Sequence, residues 1–153
     1  MEQRIDYRSA IPKEALHSLY ALEQAIRKSG LETKLLELVR MGTSQINGCA
    51  FCLDMHSKDA RAEGETEQRL YGLTAWRETP YYNDRERAAL EWTEAVTLVS
   101  RDQVPDDVYE RTRRHFSEAE LTILTLAIVA INSWNRIAIA FRAVPASYEH
   151  PAR

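Results

Sequence analysis

The sequence lacks a long run of uncharged residues. Its longest uncharged stretch, residues 121–135, covers 15 residues and includes Asn132, Ser133 and Asn135, whereas a membrane span needs about 20 mostly apolar residues. This stretch therefore predicts a buried core helix. Residues 1–6 contain no apolar segment of the kind found in signal peptides. We expect a cytoplasmic protein with no membrane association.

Cysteine and concentrated positive charge are also scarce. Two cysteines are too few for a disulfide-rich secreted scaffold. Lys and Arg number 20 against 23 Asp and Glu, which gives a formal charge of −3. Because no large basic block is present, nucleic acid is not an expected partner. A length of 153 residues, with 44% hydrophobic and 28% charged residues, predicts a single domain over residues 1–153.

No stretch alternates apolar and polar residues for long enough to indicate a half-buried strand, so we predict an all-α fold. Glycines mark the helix ends and capping residues mark several helix starts. These signals are Gly30, Gly48 and Gly64 for the ends, and Asn83 with Glu86 and Ser117 with Glu120 for the starts. Helices are predicted to begin near residues 12, 33, 49, 66, 83, 105 and 117, the last reaching about residue 142. The tail after Pro145 is expected to fray.

The two cysteines form a Cys-x-x-Cys pair, Cys49 and Cys52, and His56 follows one turn later. The preceding Asn47-Gly48 turn puts the pair in the first turn of a predicted helix, where free N–H groups and the helix dipole favour thiolates. Both sulfurs and the imidazole share one helix face at this spacing. One thiol can attack a substrate while the other resolves the product as a disulfide. His56 is the candidate proton acceptor.

Glu37 is the candidate partner of His56. If two antiparallel helices meet at a turn near Asn47, Glu37 lies ten residues before the turn and His56 nine residues after it, so the two face each other. Lys34 and Arg40 lie near Glu37 on its own helix, which also fits an exposed ion pair. The cysteines likewise fit an inert buried pair, or a metal site with His56 and an acidic fourth ligand. Redox use of the cysteines is the interpretation we favour.

The remaining tryptophans and histidines have no context that indicates chemistry. Trp76, Trp92 and Trp134 fall on apolar helical stripes and are expected in the core. His17, His115 and His150 have no acidic or thiol neighbours in sequence. We expect these three histidines to serve packing or surface roles.

Glu37, Cys49, Cys52 and His56 together match the pattern Glu-x11-Cys-x-x-Cys-x3-His. In this pattern the chain resembles the AhpD-like alkylhydroperoxidases of the carboxymuconolactone decarboxylase superfamily. The resemblance extends over roughly residues 15–143. It implies an all-helical AhpD-like domain built around a helix hairpin that carries the Cys-x-x-Cys motif. It also implies a homo-oligomer, a trimer or hexamer, which agrees with the apolar residues on more than one face of the helices near residues 31–46 and 121–141.

The resemblance further implies a thiol-dependent peroxidase that reduces alkyl hydroperoxides or hydrogen peroxide in antioxidant defence. Cys52 corresponds to the cysteine that attacks the peroxide and Cys49 to its disulfide partner, while Glu37 and His56 correspond to the proton relay. No bound cofactor or metal is expected, and an external dithiol, such as a lipoyl group on a partner protein, is the implied reductant. The decarboxylase branch lacks the paired cysteines, so lactone decarboxylation is not expected. A redox sensor or dithiol–disulfide exchanger, a metal-binding module and a helical scaffold remain the alternatives.

Overall fold

A computed structural model describes residues 2–150, which form helices joined by short connections and contain no strand in that range. The all-α prediction is confirmed. The helices are α1 (Tyr7–Ala10), α2 (Lys13–Arg27), α3 (Thr33–Asn47), α4 (Ala50–Ala62), α5 (Glu67–Gly72), α6 (Asp84–Thr97), α7 (Val99–Asp102), α8 (Asp106–Arg113) and α9 (Glu118–Phe141), with a 3₁₀ turn (Leu73–Ala75) after α5.

The helix starts agree with the sequence signals to within one residue. Both predicted capping boxes are present, so Asn83 and Ser117 are N-caps and their helices begin one residue later. The helix predicted to begin near residue 66 is shorter than expected, because it ends at Gly72 and continues as the 3₁₀ turn. Helices α1 and α7 were not predicted, since four residues are too few to display a helical period.

Helix α3 passes through the centre of the fold and packs against α4, α6 and α9. All seven residues from Leu35 to Met41 are buried. Leu36 and Val39 join a core cluster with α6 and α9, whereas Leu38 and Met41 join a second cluster on the other side. The apolar residues on several faces of α3 are therefore buried within the chain itself. The argument for an oligomer from this helix is wrong, because its neighbours in the same chain already cover it.

A two-residue connection joins α3 to α4. Gly48 has a positive φ of 70° and closes α3 in the left-handed conformation that glycine adopts without strain. The Cys49 N–H donates to the Ser44 carbonyl at 3.0 Å. Asn47 then ties this end of α3 to α9, because its amide nitrogen donates to the side-chain oxygens of Asn132 at 3.0 Å and Asn135 at 2.9 Å. The turn that carries the cysteines is thus fixed against the longest helix.

Helix α9 is buried on one side only. Leu124, Ile128 and Ile131 lie in the core, while Leu126 and Val129 are exposed. By length and composition alone this helix of 24 residues would suffice to cross a membrane, a test that core helices of soluble proteins also pass, and 39% of its apolar window is buried. The prediction of a buried core helix is therefore confirmed for one side of α9 and wrong for the other.

The described part of the tail packs onto α4. The Ala146 N–H donates to the Asp54 carboxylate at 3.1 Å, and the Lys58 ammonium donates to the Tyr148 carbonyl at 2.8 Å. The expectation that the tail frays is wrong for these residues, because α4 offers side chains that bind its backbone. Residues 151–153 lie outside the described range.

Candidate active site

The two cysteines lie at the N-terminus of α4 and are joined by a disulfide, with their Cα atoms 5.3 Å apart. Cys49 is the N-cap of α4, one position before the first turn predicted for it, and its sulfur accepts the Cys52 N–H at 3.3 Å. Both residues are 1% exposed. The helix start thus directs a backbone donor at a sulfur, an arrangement that stabilises negative charge on sulfur.

The predicted contact between His56 and Glu37 is present. His56 Nδ1 lies 2.8 Å from Glu37 Oε2, and both side chains are buried. An ionised carboxylate can only accept hydrogen bonds, so Nδ1 carries the proton in this pair. In the neutral imidazole, Nε2 is then the nitrogen that can accept a proton. Within the described residues, His56 makes no hydrogen bond to either sulfur of the disulfide.

Arg40 binds the other oxygen of Glu37. Its guanidinium lies 2.6 Å from Glu37 Oε1 and 2.8 Å from Glu23 Oε2, and the Arg40 side chain is 1% exposed. The alternative of an exposed Glu37–Arg40 ion pair is therefore correct about the pair and wrong about its exposure. Both side chains are buried in the centre of the fold. Burial raises the pKa of Glu37, but the hydrogen bond from His56 and the charges of His56 and Arg40 lower it to about 2.

Two residues beside the Glu37–His56 pair were missed by the sequence interpretation. Asp59 lies one turn after His56 on α4 and is 9% exposed, and the Tyr148 hydroxyl donates to its Oδ1 at 2.6 Å. Burial and this hydrogen bond raise the pKa of Tyr148 to about 12. The i, i+3 spacing to His56 could have indicated Asp59. Tyr148 is 89 residues from Asp59 in sequence, so no local signal points to it.

Three of these side chains are close enough together to hold a metal ion. Ligand atoms of Glu37, His56 and Asp59 lie within 4.8 Å of one another. Each of the three already has a protein partner: Glu37 binds Arg40 and His56, and Asp59 binds Tyr148. Neither cysteine belongs to this group, so it is not the metal site of two cysteines, His56 and an acid that the sequence left open.

A cavity of about 700 Å³ opens beside Cys52 and His56. Of the two cysteines, both within the described range, Cys52 lines the cavity and Cys49 does not. Most of the wall is aromatic or apolar, contributed by Tyr7, Tyr20, Phe51, Met55, Trp134 and Tyr148. Trp76 and Trp92 are buried in the core as predicted, but Trp134 is half-buried on the cavity wall, so its assignment to the core is wrong.

The low pKa of Glu37 predicts a loss of stability in acid. The folded protein holds this carboxylate ionised down to about pH 2, whereas its ordinary pKa is 4.5, so the unfolded chain binds the proton first. Glu37 contributes its full stabilisation above about pH 4.5. As the pH falls toward 2, the free energy of unfolding decreases by about 3 kcal/mol. Urea unfolding between pH 2 and 6 measures this loss of stability. Glu37→Gln should flatten the pH dependence relative to Glu110→Gln, a matched change of an exposed glutamate; equal slopes would contradict the prediction.

Comparisons with known proteins identify the family of the chain. Residues 13–95 match the family described as the "Carboxymuconolactone decarboxylase family". The uncharacterized protein YdfG of Bacillus subtilis (strain 168) is 46% identical over 140 residues, which cover 92% of this chain and 95% of YdfG.

Solved structures give the same fold. One is ATU0492 from Agrobacterium tumefaciens, a protein of unknown function whose name suggests the antioxidant defence protein AhpD. It is 44% identical to this chain with a TM-score of 0.89, and the match covers 99% of this chain and 100% of ATU0492. The debrominase Bmp8 is 20% identical, with a TM-score of 0.78 over 88% of this chain and 72% of Bmp8, and shares the fold. The predicted resemblance is confirmed: the chain belongs to the carboxymuconolactone decarboxylase family and is an AhpD-like member of it.

Proposed function

We propose that the protein is a thiol-dependent peroxidase that reduces organic hydroperoxides through a Cys49–Cys52 disulfide cycle. The observation that carries this proposal is the arrangement at the cavity wall. There Cys52 and His56 both line the space, and the Nδ1 of His56 is bound to an ionised Glu37. A thiol, a proton acceptor and an orienting carboxylate are the parts that an activated nucleophile requires.

In the first step, His56 takes the proton of Cys52, and the thiolate attacks the distal oxygen of the hydroperoxide. The O–O bond breaks, Cys52 becomes a sulfenic acid, and the alkoxide leaves with a proton from the imidazolium of His56. In the second step, the Cys49 thiol attacks the sulfur of the sulfenic acid, which forms the disulfide and releases water.

An external dithiol closes the cycle. It reduces the Cys49–Cys52 disulfide and becomes a disulfide itself, so one hydroperoxide and one dithiol give an alcohol, water and an oxidised dithiol. We propose a dithiol of the dihydrolipoyl type, carried by a partner protein. A cytoplasmic location fits this step, since that compartment keeps dithiols reduced.

The cavity supports an organic substrate. Its volume of about 700 Å³ falls in the range of small-molecule sites, and its apolar walls suit a carbon skeleton. Hydrogen peroxide requires no such space. The removal of organic hydroperoxides would make this an antioxidant enzyme.

The exposed side of α9 supports self-association. Leu126 and Val129 are 37% and 46% exposed and lie three residues apart on one face of the helix, so burial against a second subunit would remove both from water. We propose a homo-oligomer, a trimer or hexamer.

The proposal predicts multiple turnovers of peroxide. With cumene hydroperoxide and dihydrolipoamide, the wild-type protein should oxidise many equivalents of dithiol. His56→Ala should slow this reaction about 10² to 10⁴-fold, the usual contribution of a general base. His115→Ala, away from the cavity, is the matched control.

Two outcomes would overturn the peroxidase proposal. A single equivalent of disulfide followed by no turnover would favour a redox sensor or dithiol exchanger. Bromide release from a bromopyrrole with the same dithiol, without peroxide reduction, would favour reductive chemistry of the kind that the name of Bmp8 indicates.

A further inference from the structure

Two arginines on the cavity wall have no acidic partner in the described part of the chain. Arg8 on α1 and Arg27 at the end of α2 both line the cavity. Within residues 2–150 neither forms an ion pair, and the neighbours of the Arg8 guanidinium are ring faces, 6.0 Å from the Tyr7 centroid and 5.8 Å from that of Phe51. A guanidinium stacked on a ring keeps its N–H edge available for an anion.

The acids that line the same cavity are already engaged. Glu23 is bound to Arg40 at 2.8 Å, and Asp59 accepts the Tyr148 hydroxyl at 2.6 Å. Among the described Arg, Asp and Glu side chains of the wall, Arg8 and Arg27 are therefore the two without a hydrogen-bonded or ion-paired partner, and a ligand with a negative group would supply one.

The rest of the wall favours an apolar body. The rings of Tyr20 and Trp134 lie 5.5 Å apart, and Phe51 and Met55 extend this surface along α4 on either side of Cys52. An aromatic or branched carbon skeleton held there would keep its reactive group beside the sulfur.

We infer that the substrate of this cavity is an amphipathic carboxylate: an apolar hydroperoxide whose carboxylate binds the guanidinium groups of Arg8 and Arg27. The hydroperoxide part of this inference rests on the proposed peroxidase function, whereas the binding of an apolar carboxylate does not. Neutral alkyl hydroperoxides and hydrogen peroxide are then poorer substrates, because they leave both arginines without an anion.

The test compares cumene hydroperoxide that carries a para carboxylate with its methyl ester. The two share the apolar body and the peroxide and differ in charge. The wild-type kcat/KM for the acid should exceed that for the ester about tenfold or more, the usual effect of a charge-assisted hydrogen bond. In the double variant Arg8→Gln/Arg27→Gln the ratio should fall to about one, because the wall then holds no guanidinium group to bind the carboxylate. Arg114→Gln, an exposed arginine outside the cavity, should keep the wild-type ratio.

A second measurement separates this inference from the peroxidase proposal. Calorimetry with the disulfide form, which holds no thiol to react, follows the binding of 4-isopropylbenzoate and its methyl ester. Binding of the acid that disappears in the double variant supports the inference even if no peroxide is turned over. Equal kcat/KM for acid and ester, together with no binding of 4-isopropylbenzoate, would overturn it and leave the peroxidase proposal standing.

Discussion

The Cys52→Ser protein is expected to reduce hydroperoxide at least about 10³-fold more slowly than the wild type. A serine hydroxyl is not ionised near neutral pH, so it cannot replace a thiolate in the attack on the O–O bond. Cys52 lines the cavity with His56, which makes it the sulfur that a bound peroxide meets. Stopped-flow measurement of peroxide consumption by the reduced protein, without added dithiol, isolates this first step.

Cys49→Ser is the matched control, because it makes the same sulfur-to-oxygen change in the cysteine that does not line the cavity. This variant should consume one equivalent of peroxide at close to the wild-type rate and then stop, since Cys52 has no partner thiol for the disulfide. Dimedone should label Cys52 as the trapped sulfenic acid, which mass spectrometry detects. If Cys49→Ser loses the first step and Cys52→Ser keeps it, the two roles are reversed.

The central contact of the site could be predicted because it depends on one short turn. A glycine after Asn47 and a helix start at Cys49 define a hairpin, and counting outward from it pairs Glu37 with His56. Helical spacing then brings His56 to the face that carries Cys52. These are local rules, and the structure contains the 2.8 Å contact that they predict.

The surroundings of that contact could not be predicted in the same way. The sequence places Arg40 three residues from Glu37, a spacing that suits an exposed ion pair equally well. Burial of the pair depends on α4, α6 and α9 closing around α3, and these contacts are distant in sequence. Tyr148 reaches Asp59 only because the tail returns to α4. Packing between distant segments leaves no periodic signal in a single sequence.

Arg40→Met is expected to destabilise the protein by about 3 to 5 kcal/mol. The substitution keeps much of the side-chain volume but leaves Glu37 in the core with one of its oxygens unpaired, and removing one partner of a buried ion pair has a cost of this size. Arg114→Met, a change of an exposed arginine, should stay within about 0.5 kcal/mol of the wild type. Urea unfolding at neutral pH gives both values.

The same substitution should also affect catalysis through His56. Without the guanidinium charge the pKa of Glu37 rises, since burial then acts with less opposition. A protonated Glu37 accepts the Nδ1–H only as a weaker, uncharged acceptor, so His56 loses the charged partner that keeps Nε2 available. Peroxidase activity of Arg40→Met should therefore decline as the pH falls, at values where the wild type remains active.

Replacing Glu37 as well, in Glu37→Gln/Arg40→Met, should recover part of the stability but none of the activity, because it removes the buried charge and the orienting carboxylate together. If Arg40→Met matched Arg114→Met in both stability and pH profile, the buried pair would have no role in holding Glu37 ionised.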